Sequence, residues 1–234
     1  TNGVELVVYA NGVAKQIGLT QPASAPTVSD YPGAMFEGAY AVAYSYLSPT
    51  GEESALSPSA FVIITDGGLS VDIPNIYPDN VASVRIYATL ANGDVLYAVE
   101  DVPIGTLVAR IQNDQRGKIA ETQHLSRMIG GDDISASNGV LYVSNGKVLT
   151  YSEPLNYGLT NKKTNFVVFD SNILFHEPVA DGLYVGTEDG TYFLSGTSPK
   201  DFTQRLVGIA PVVNDSIAVL LIERNGFGLF FACF

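Results

Sequence analysis

The stretch Asn138-Gly-Val-Leu-Tyr-Val-Ser-Asn-Gly-Lys-Val-Leu-Thr-Tyr151 decides the fold class. Each Asn-Gly pair favours a type I′ turn, because that turn needs positive φ at both central residues and matches the twist of flanking strands. Two runs rich in β-branched and aromatic residues follow the turns, Val140 to Ser144 and Lys147 to Tyr151, and such residues favour strands. The stretch therefore predicts paired hairpins in an all-β chain.

The same pattern of paired turns and strands recurs. A second copy runs from Asp181-Gly to Leu194, displaced by 43 to 44 residues, since Asn138 corresponds to Asp181 and Asn145 to Asp189. Looser copies cover 1–18 and 214–231. A period of about 40–45 residues built from hairpins is typical of β-propeller blades. The alternative is an all-β protein that merely contains many hairpins.

Residues 22–112 follow a different pattern, which predicts a β-sandwich. In Tyr40 to Tyr46, Tyr and Val on one face alternate with Ala and Ser on the other, and this period of two indicates a strand. Turn signals fall at intervals typical of sandwiches. The expected strands lie near 40–47, 61–65, 69–73, 84–90, 95–100 and 106–111.

We therefore expect an immunoglobulin- or fibronectin-like sandwich inserted in, or followed by, a partial β-propeller. The expected domains are a propeller-like hairpin at 1–20, the sandwich at 21–112, a linker at 113–130 and propeller-like repeats at 131–234. Only residues 115–129 could hold a helix, and a short one. If the sandwich is inserted between blades, residues 1–18 must pair with strands after residue 130.

The composition excludes several classes of protein. The chain has 24 acidic and 12 basic residues, a net charge of −12, and it is 46% apolar and only 15% charged, too hydrophobic for disorder. Its longest apolar runs, such as Ile217 to Ile222, are far shorter than the ~20 residues that span a bilayer, so no membrane insertion is expected. The basic residues are scattered, and Lys162-Lys163 is the only adjacent pair. Specific nucleic-acid binding is therefore not expected, although an acidic wall beside passing DNA is compatible with this charge.

The first 20 residues lack the charged-then-apolar pattern of a secretory signal. The sequence does not begin with Met and stops inside the apolar run Gly228 to Phe234. We expect either a fragment of a longer chain or an end that is buried against a partner.

Candidate metal and catalytic residues are few. The one Cys, Cys233, and the two histidines, His124 and His176, argue against a zinc site, and Cys233 is interpreted as a small buried hydrophobe. The pair His176-Glu177 could act as a general base, but a strand histidine satisfied by a neighbour is the favoured interpretation.

Two acidic pairs could in principle bind calcium. Asp132-Asp133 lies on a glycine-rich loop, but calcium needs further oxygen ligands at close spacing, and none follow. Glu52 and Glu53 are expected at a solvated turn tip after Gly51. Since no G-x-S-x-G nucleophile motif occurs either, the sequence predicts no catalytic residue, no cofactor and no metal.

Strand tyrosines such as Tyr142, Tyr184 and Tyr192 could stack on sugars. Packing between sheets with the hydroxyl at the rim is the favoured interpretation.

The run Gly38-Ala-Tyr-Ala-Val-Ala-Tyr-Ser-Tyr-Leu-Ser-Pro-Thr-Gly-Glu-Glu-Ser-Ala-Leu-Ser-Pro58 resembles the fibronectin-type-III-like module of tailed-bacteriophage virion proteins. Val84-Arg-Ile-Tyr87 with Asn92-Gly-Asp-Val-Leu-Tyr97 resembles a later hairpin of that module. The runs Leu149 to Pro154 and Asp181 to Gly196 resemble the propeller-type repeats of phage tail hub and nozzle proteins. The resemblance covers about residues 36–200, and the core Trp usual in the type III fold is absent.

This resemblance implies a structural protein of the virion and no enzyme. The chain would act in the tail hub, the nozzle or the head-to-tail connection, after assembly in the host cytoplasm. Its partners would be copies of itself in a ring and other phage tail proteins. The alternative is a carbohydrate-binding or adhesive module for a cell-surface glycan, and a depolymerase ranks third.

Overall fold

The computed structural model describes residues 5–10, 12–210, 217–218 and 230–231. In this part of the chain the regular elements are antiparallel strands and one turn of 3₁₀ helix at Pro199–Asp201, so the all-β prediction is confirmed. None of the sheets formed by these residues closes on itself. The chain forms two compact units. One comprises residues 8–128, and the other comprises residues 1–7 together with 129–234.

Two antiparallel sheets form the sandwich-like core of the N-terminal unit, residues 8–128. The three-stranded sheet has the spatial order β3 (Thr27–Pro32), β6 (Gly67–Asp72), β9 (Val108–Ile111). The four-stranded sheet has the order β5 (Ala60–Ile64), β4 (Gly38–Leu47), β7 (Ser83–Ala88), β8 (Tyr97–Pro103). The short strands are β1 (Val7–Ala10) and β2 (Val13–Gln16), which pair with each other, and β10 (Ser126–Arg127). The strands expected in the sandwich are confirmed, and β3 is an additional one.

Residues 115–129, the one stretch in which the sequence left room for a short helix, form no helix in the structure. The backbone N–H of Gly117 donates to the carbonyl of Ala98 over 2.7 Å, and Ile119 forms a bridge with Tyr97. Residues 117–120 therefore follow the chain at the start of β8 in extended form, because the edge of a sheet offers unpaired backbone groups to a passing chain, and residues 121–124 then form a turn.

The core between the two sheets is built on one face of β4. The side chains expected to share that face are all buried, and they are Tyr40, Val42, Tyr44 and Tyr46. The opposite face is also buried, because Leu56 and Leu96 pack over Ala43 and Tyr87. A strand buried on both faces has no water to satisfy its backbone, so every N–H and C=O needs a partner inside the protein.

Serine side chains complete the backbone pairing of β4 before β5 begins. Ser57 donates its N–H to the Tyr44 carbonyl over 2.8 Å, and its hydroxyl oxygen accepts the Tyr44 N–H over 3.0 Å. Ser54 makes the same two hydrogen bonds with Tyr46, both over 2.9 Å. Each hydroxyl therefore takes the place of a backbone carbonyl that a regular strand would have supplied.

The opposite edge of β4 is completed in the same way after β7 ends. Thr89 donates its N–H to Ala41 over 3.0 Å and accepts the Ala41 N–H on Oγ1 over 3.1 Å. Asn92 pairs with Ala39 through its N–H and its amide oxygen. Side-chain oxygens thus extend the ladder on both sides of the central strand.

The C-terminal unit comprises the described residues among 1–7 and 129–234, and it contains two four-stranded meanders. The first is β11 (Asp133–Ser137), β12 (Val140–Asn145), β13 (Val148–Tyr151), β15 (Phe166–Val168). The second is β16 (Ile173–Val179), β17 (Gly182–Thr187), β18 (Gly190–Ser195), β19 (Thr203–Gly208). The remaining strands are β14 (Leu159–Thr160) and the pair β20 (Ile217–Ala218) and β21 (Phe230–Phe231). The hairpins expected in both repeats are confirmed.

A common core joins the two meanders. It contains Tyr142 and Leu149 from the first sheet and Leu183 and Val185 from the second. The first meander also repeats the serine pattern of β4, since Ser152 donates its N–H to the Leu141 carbonyl and accepts the Leu141 N–H on its hydroxyl oxygen.

The type I′ expectation holds for one hairpin of these meanders and is wrong for the other three. Asn138 and Gly139 have φ of 50° and 75° and form the two-residue loop between β11 and β12. In the other three hairpins the loop is shifted by one residue, to Gly146-Lys147, Ala180-Asp181 and Glu188-Asp189. The Asn-Gly or Asp-Gly pair there does not occupy both central positions.

The strand pairing required for insertion of the sandwich between blades is not observed. Among the described residues, neither β1 nor β2 pairs with a strand after residue 130. The backbone of Glu5 does lie against Gly130, where an added Cβ would be 3.0 Å from the Glu5 carbonyl oxygen. Most of the copy expected at 214–231 lies outside the described residues.

We predict that Ser54→Ala lowers the free energy of unfolding by about 1–3 kcal/mol, because the buried Tyr46 N–H loses its acceptor. Chemical denaturation measures the change, and Ser29→Ala on the exposed side of β3 is the control, expected within about 0.5 kcal/mol of the unaltered protein. Equal effects of the two substitutions would show that the hydroxyl does not replace a carbonyl.

Candidate functional site

The turn between β4 and β5 positions an acidic side chain against the sheet. Leu47 forms a bridge with Glu53, and the Ser54 contact with Tyr46 holds the following residue. The Glu53 carboxylate then accepts the hydroxyl of Ser45 over 2.6 Å and the hydroxyl of Tyr87. The expectation of a solvated Glu53 is therefore wrong.

A guanidinium completes this cluster. Arg85 Nη1 lies 3.3 Å from Glu53 Oε2, and Arg85 donates two hydrogen bonds of 2.7 Å to Asp101. Such a bidentate pair is stronger and more directional than a single ion pair. Asp101 raises the pKa of Arg85, while burial and the Glu53 contact raise the pKa of Tyr87. The cluster joins β4, β7, β8 and the turn, so its hydrogen bonds and ion pairs hold the strands of this sheet together.

The C-terminal unit holds a second polar cluster around His176. Its imidazole has no exposed surface; Nδ1 lies 2.6 Å from Ser135 Oγ, and Nε2 lies 3.7 Å from Asp133 Oδ2. The His176 backbone N–H donates to the same Asp133 oxygen over 3.0 Å. Burial lowers the pKa of His176, and Asp133 opposes that shift. The ring is therefore neutral at pH 7.

The contacts of His176 with Ser135 and Asp133 join β16 to β11, which fits a structural role for this cluster. An imidazole without exposed surface cannot transfer a proton to a bound molecule, and general-base catalysis requires such contact. Glu177 does not join His176 as a pair, since adjacent strand residues point to opposite faces. Within the described residues Nε2 of His176 has no hydrogen-bond partner.

The carboxylates of the acidic pair Asp132-Asp133 accept hydrogen bonds from backbone amides. Asp132 accepts the Gly146 N–H over 2.9 Å, and Asp133 accepts the N–H groups of Ile134 and His176. The two carboxylates therefore anchor different strands and do not converge on one point.

The remaining candidate residues are dispersed. His124 is exposed in the N-terminal unit, Lys162-Lys163 is exposed in a turn of the C-terminal unit, and Cys233 lies outside the described residues. Among the tyrosines, Tyr142 and Tyr192 pack in the common core, as expected, and Tyr184 contacts Phe193 with ring centroids 4.7 Å apart.

Two concave surfaces of the N-terminal unit face solvent, with volumes of about 390 and 490 Å³. Their charged residues are Lys15, Glu52 and Asp79 in the first and Arg85, Glu100, Asp101, Arg116 and Lys118 in the second. Arg116 is paired with Asp114 at 2.9 Å, and Arg85 is paired as described above. Guanidinium groups that are paired inside the chain do not favour a phosphate site.

Exposed apolar side chains lie on the outermost strands of three sheets. Phe61 and Ile63 of β5 are 79% and 70% exposed. The corresponding residues are Phe166 and Val168 on β15 and Leu206 and Val207 on β19. Edge strands normally carry charges, prolines or bulges that prevent pairing with another chain. The uncharged run Ala60 to Ile64 is the signal in the sequence that could have revealed this feature.

We predict that Glu53→Ala destabilises the protein by about 1–3 kcal/mol, because Arg85 and two hydroxyl groups lose a shared, partly buried acceptor. The neighbouring Glu52→Ala is the matched control, expected within about 0.5 kcal/mol of the unaltered protein. Urea denaturation gives both values, and a larger effect at Glu52 would contradict the assignment of Glu53 to the cluster.

We also predict that stability falls as the pH is lowered from about 7.5 to 5. The pKa of His176 in the folded protein lies below its unfolded value of 6.5. As the pH falls, the unfolded chain therefore binds a proton first, and this stabilises the unfolded state relative to the folded state. A pKa difference of one between the two states corresponds to about 1.4 kcal/mol. His176→Leu should flatten this slope. Unfolding free energies across the pH series measure the slope of each protein, and an unchanged slope in His176→Leu would refute the assignment.

No protein-family model and no curated protein matches the chain. In the part of the chain that the structure describes, no helix is long and apolar enough to cross a membrane, and no group of three His, Cys, Asp or Glu residues could hold a metal ion.

Proposed function

We propose that the chain is a structural component of a tailed-phage virion that acts by symmetric assembly with copies of itself and with other tail proteins. The exposed apolar residues on the outer strands β5, β15 and β19 carry this proposal. An outer strand offers unpaired N–H and C=O groups, so a neighbouring subunit can add a strand there and cover the apolar side chains. The proposal that this assembly belongs to a phage tail is supported by the motifs between residues 36 and 200, which resemble phage tail modules.

The architecture supports the same proposal. We interpret the two meanders as neighbouring blades of a propeller, because each has four antiparallel strands in chain order and they share one core. We interpret the N-terminal unit as the fibronectin-type-III-like module. Each repeat of such an array buries its faces only against neighbours, which favours completion of the array by further subunits.

The net charge of −12 fits a position beside DNA in the tail. A surface of like charge repels the phosphate backbone, so DNA can pass without being held. No specific nucleic-acid binding is part of the proposal.

Electron microscopy and mass measurement test the proposal. The purified chain, alone and mixed with tail proteins from the same particle, should form closed rings of one stoichiometry, and an antibody against the chain should label virion tails. A monomer that enters no particle would overturn it. The alternative glycan-binding function has less support, because Tyr142 and Tyr192 pack in the core, and a glycan array is expected to show no binding.

A further inference from the structure

The edge strand β5 combines three features that favour contact with another chain. Among the described residues it pairs with β4 alone, so its outer row of backbone groups has no ladder partner. Phe61 and Ile63 project from the outer face with 79% and 70% of their surface exposed. Their cross-strand neighbours on β4 are Ala41 and Ala39, which are too small to cover them.

The charge distribution makes β5 a place where a second copy of this chain can approach. Two molecules of net charge −12 repel each other over most of their surfaces. The five residues of β5, Ala-Phe-Val-Ile-Ile, carry no charge and include no proline. Identical strands can therefore approach here without like charges and without a missing hydrogen-bond donor.

The sequence of β5 is also complementary to itself in one antiparallel register. With two copies related by a two-fold axis at Val62, Ala60 lies opposite Ile64, and Phe61 lies opposite Ile63 of the other copy. Directly opposite residues share a face, and an aromatic residue beside a β-branched one is a favourable cross-strand pair. All five residues are paired in this register.

We infer that β5 forms an antiparallel two-fold contact between two copies of the chain, with Phe61 of each copy packed against Ile63 of the other. The inference rests on the self-assembly part of the proposed function and names one of its contacts. A two-fold contact uses the same patch on both copies and therefore closes without leaving a free edge.

The area of this patch sets the strength of the contact. A covered aromatic side chain buries about 150–250 Å², so the four exposed side chains of two copies supply on the order of 500 Å². Stable interfaces bury about 1,200 Å² or more. The isolated contact is therefore weak and concentration-dependent, and it gains strength where other contacts hold the copies close together.

Charge exchange on the outer face tests both the contact and its register. F61K/I63K places lysine opposite lysine in the two-fold pair and should weaken self-association by about tenfold or more. F61K/I63E places a lysine of each copy opposite a glutamate of the other and should restore much of the association. The control I76K changes a residue that is 83% exposed outside the strands and should behave as the unaltered protein. Sedimentation equilibrium up to the solubility limit measures the dimer fraction of each variant.

Three results would overturn the inference: an unaltered protein that is monomeric at every concentration, association of F61K/I63K equal to that of the unaltered protein, or no recovery in F61K/I63E. Circular dichroism checks folding, and the uncharged variant F61T/I63T serves in place of F61K/I63K if that variant unfolds, with the same expected loss. If one of these three results is found while the unaltered chain still forms rings with tail proteins, the β5 contact is refuted and the proposed function stands. Association through β5 without any location in virions would refute the proposed function instead.

Discussion

The N-terminal unit depends on the replacement of backbone carbonyls by side-chain oxygens along β4. This strand is buried on both faces over most of its length, so each amide without a partner would cost free energy. Its neighbours β5 and β7 cover only part of it. Four residues supply the missing acceptors, and they are Ser54, Ser57, Thr89 and Asn92. The central strand can therefore be longer than either of its partners.

These contacts also fix the positions of the neighbouring side chains. Because Ser54 is held against Tyr46, the preceding residue Glu53 is directed towards Ser45 and Tyr87, and Arg85 then joins Glu53 to Asp101. The same contacts end the turn where β5 begins. These contacts therefore set which residues of β5 face outwards.

The sequence predicts the strands well and the contacts between distant residues poorly. Alternation at Tyr40 to Tyr46 predicts which side chains enter the core, because a strand directs successive residues to opposite faces. The prediction for Glu53 is wrong because two of its partners, Arg85 and Tyr87, lie 32 and 34 residues away in the sequence, and no local pattern shows this pairing. For a similar reason no local pattern shows that residues 117–120 pair with the chain at the start of β8. The spacing of Ser54 and Ser57 is visible in the sequence, and its physical reason follows only from the position of β4.

Because of the serine contacts, the register of the sheet does not depend on the length of the turn between β4 and β5. Ser54 and Ser57 fix the returning chain against Tyr46 and Tyr44, whatever the path taken before Glu53. Gly51 at the tip has φ of 85° and open space around it. Foreign peptides grafted between Thr50 and Gly51 would therefore project from a scaffold whose strands keep their alignment. Evolution can use the same freedom to vary the tip while it preserves the fold.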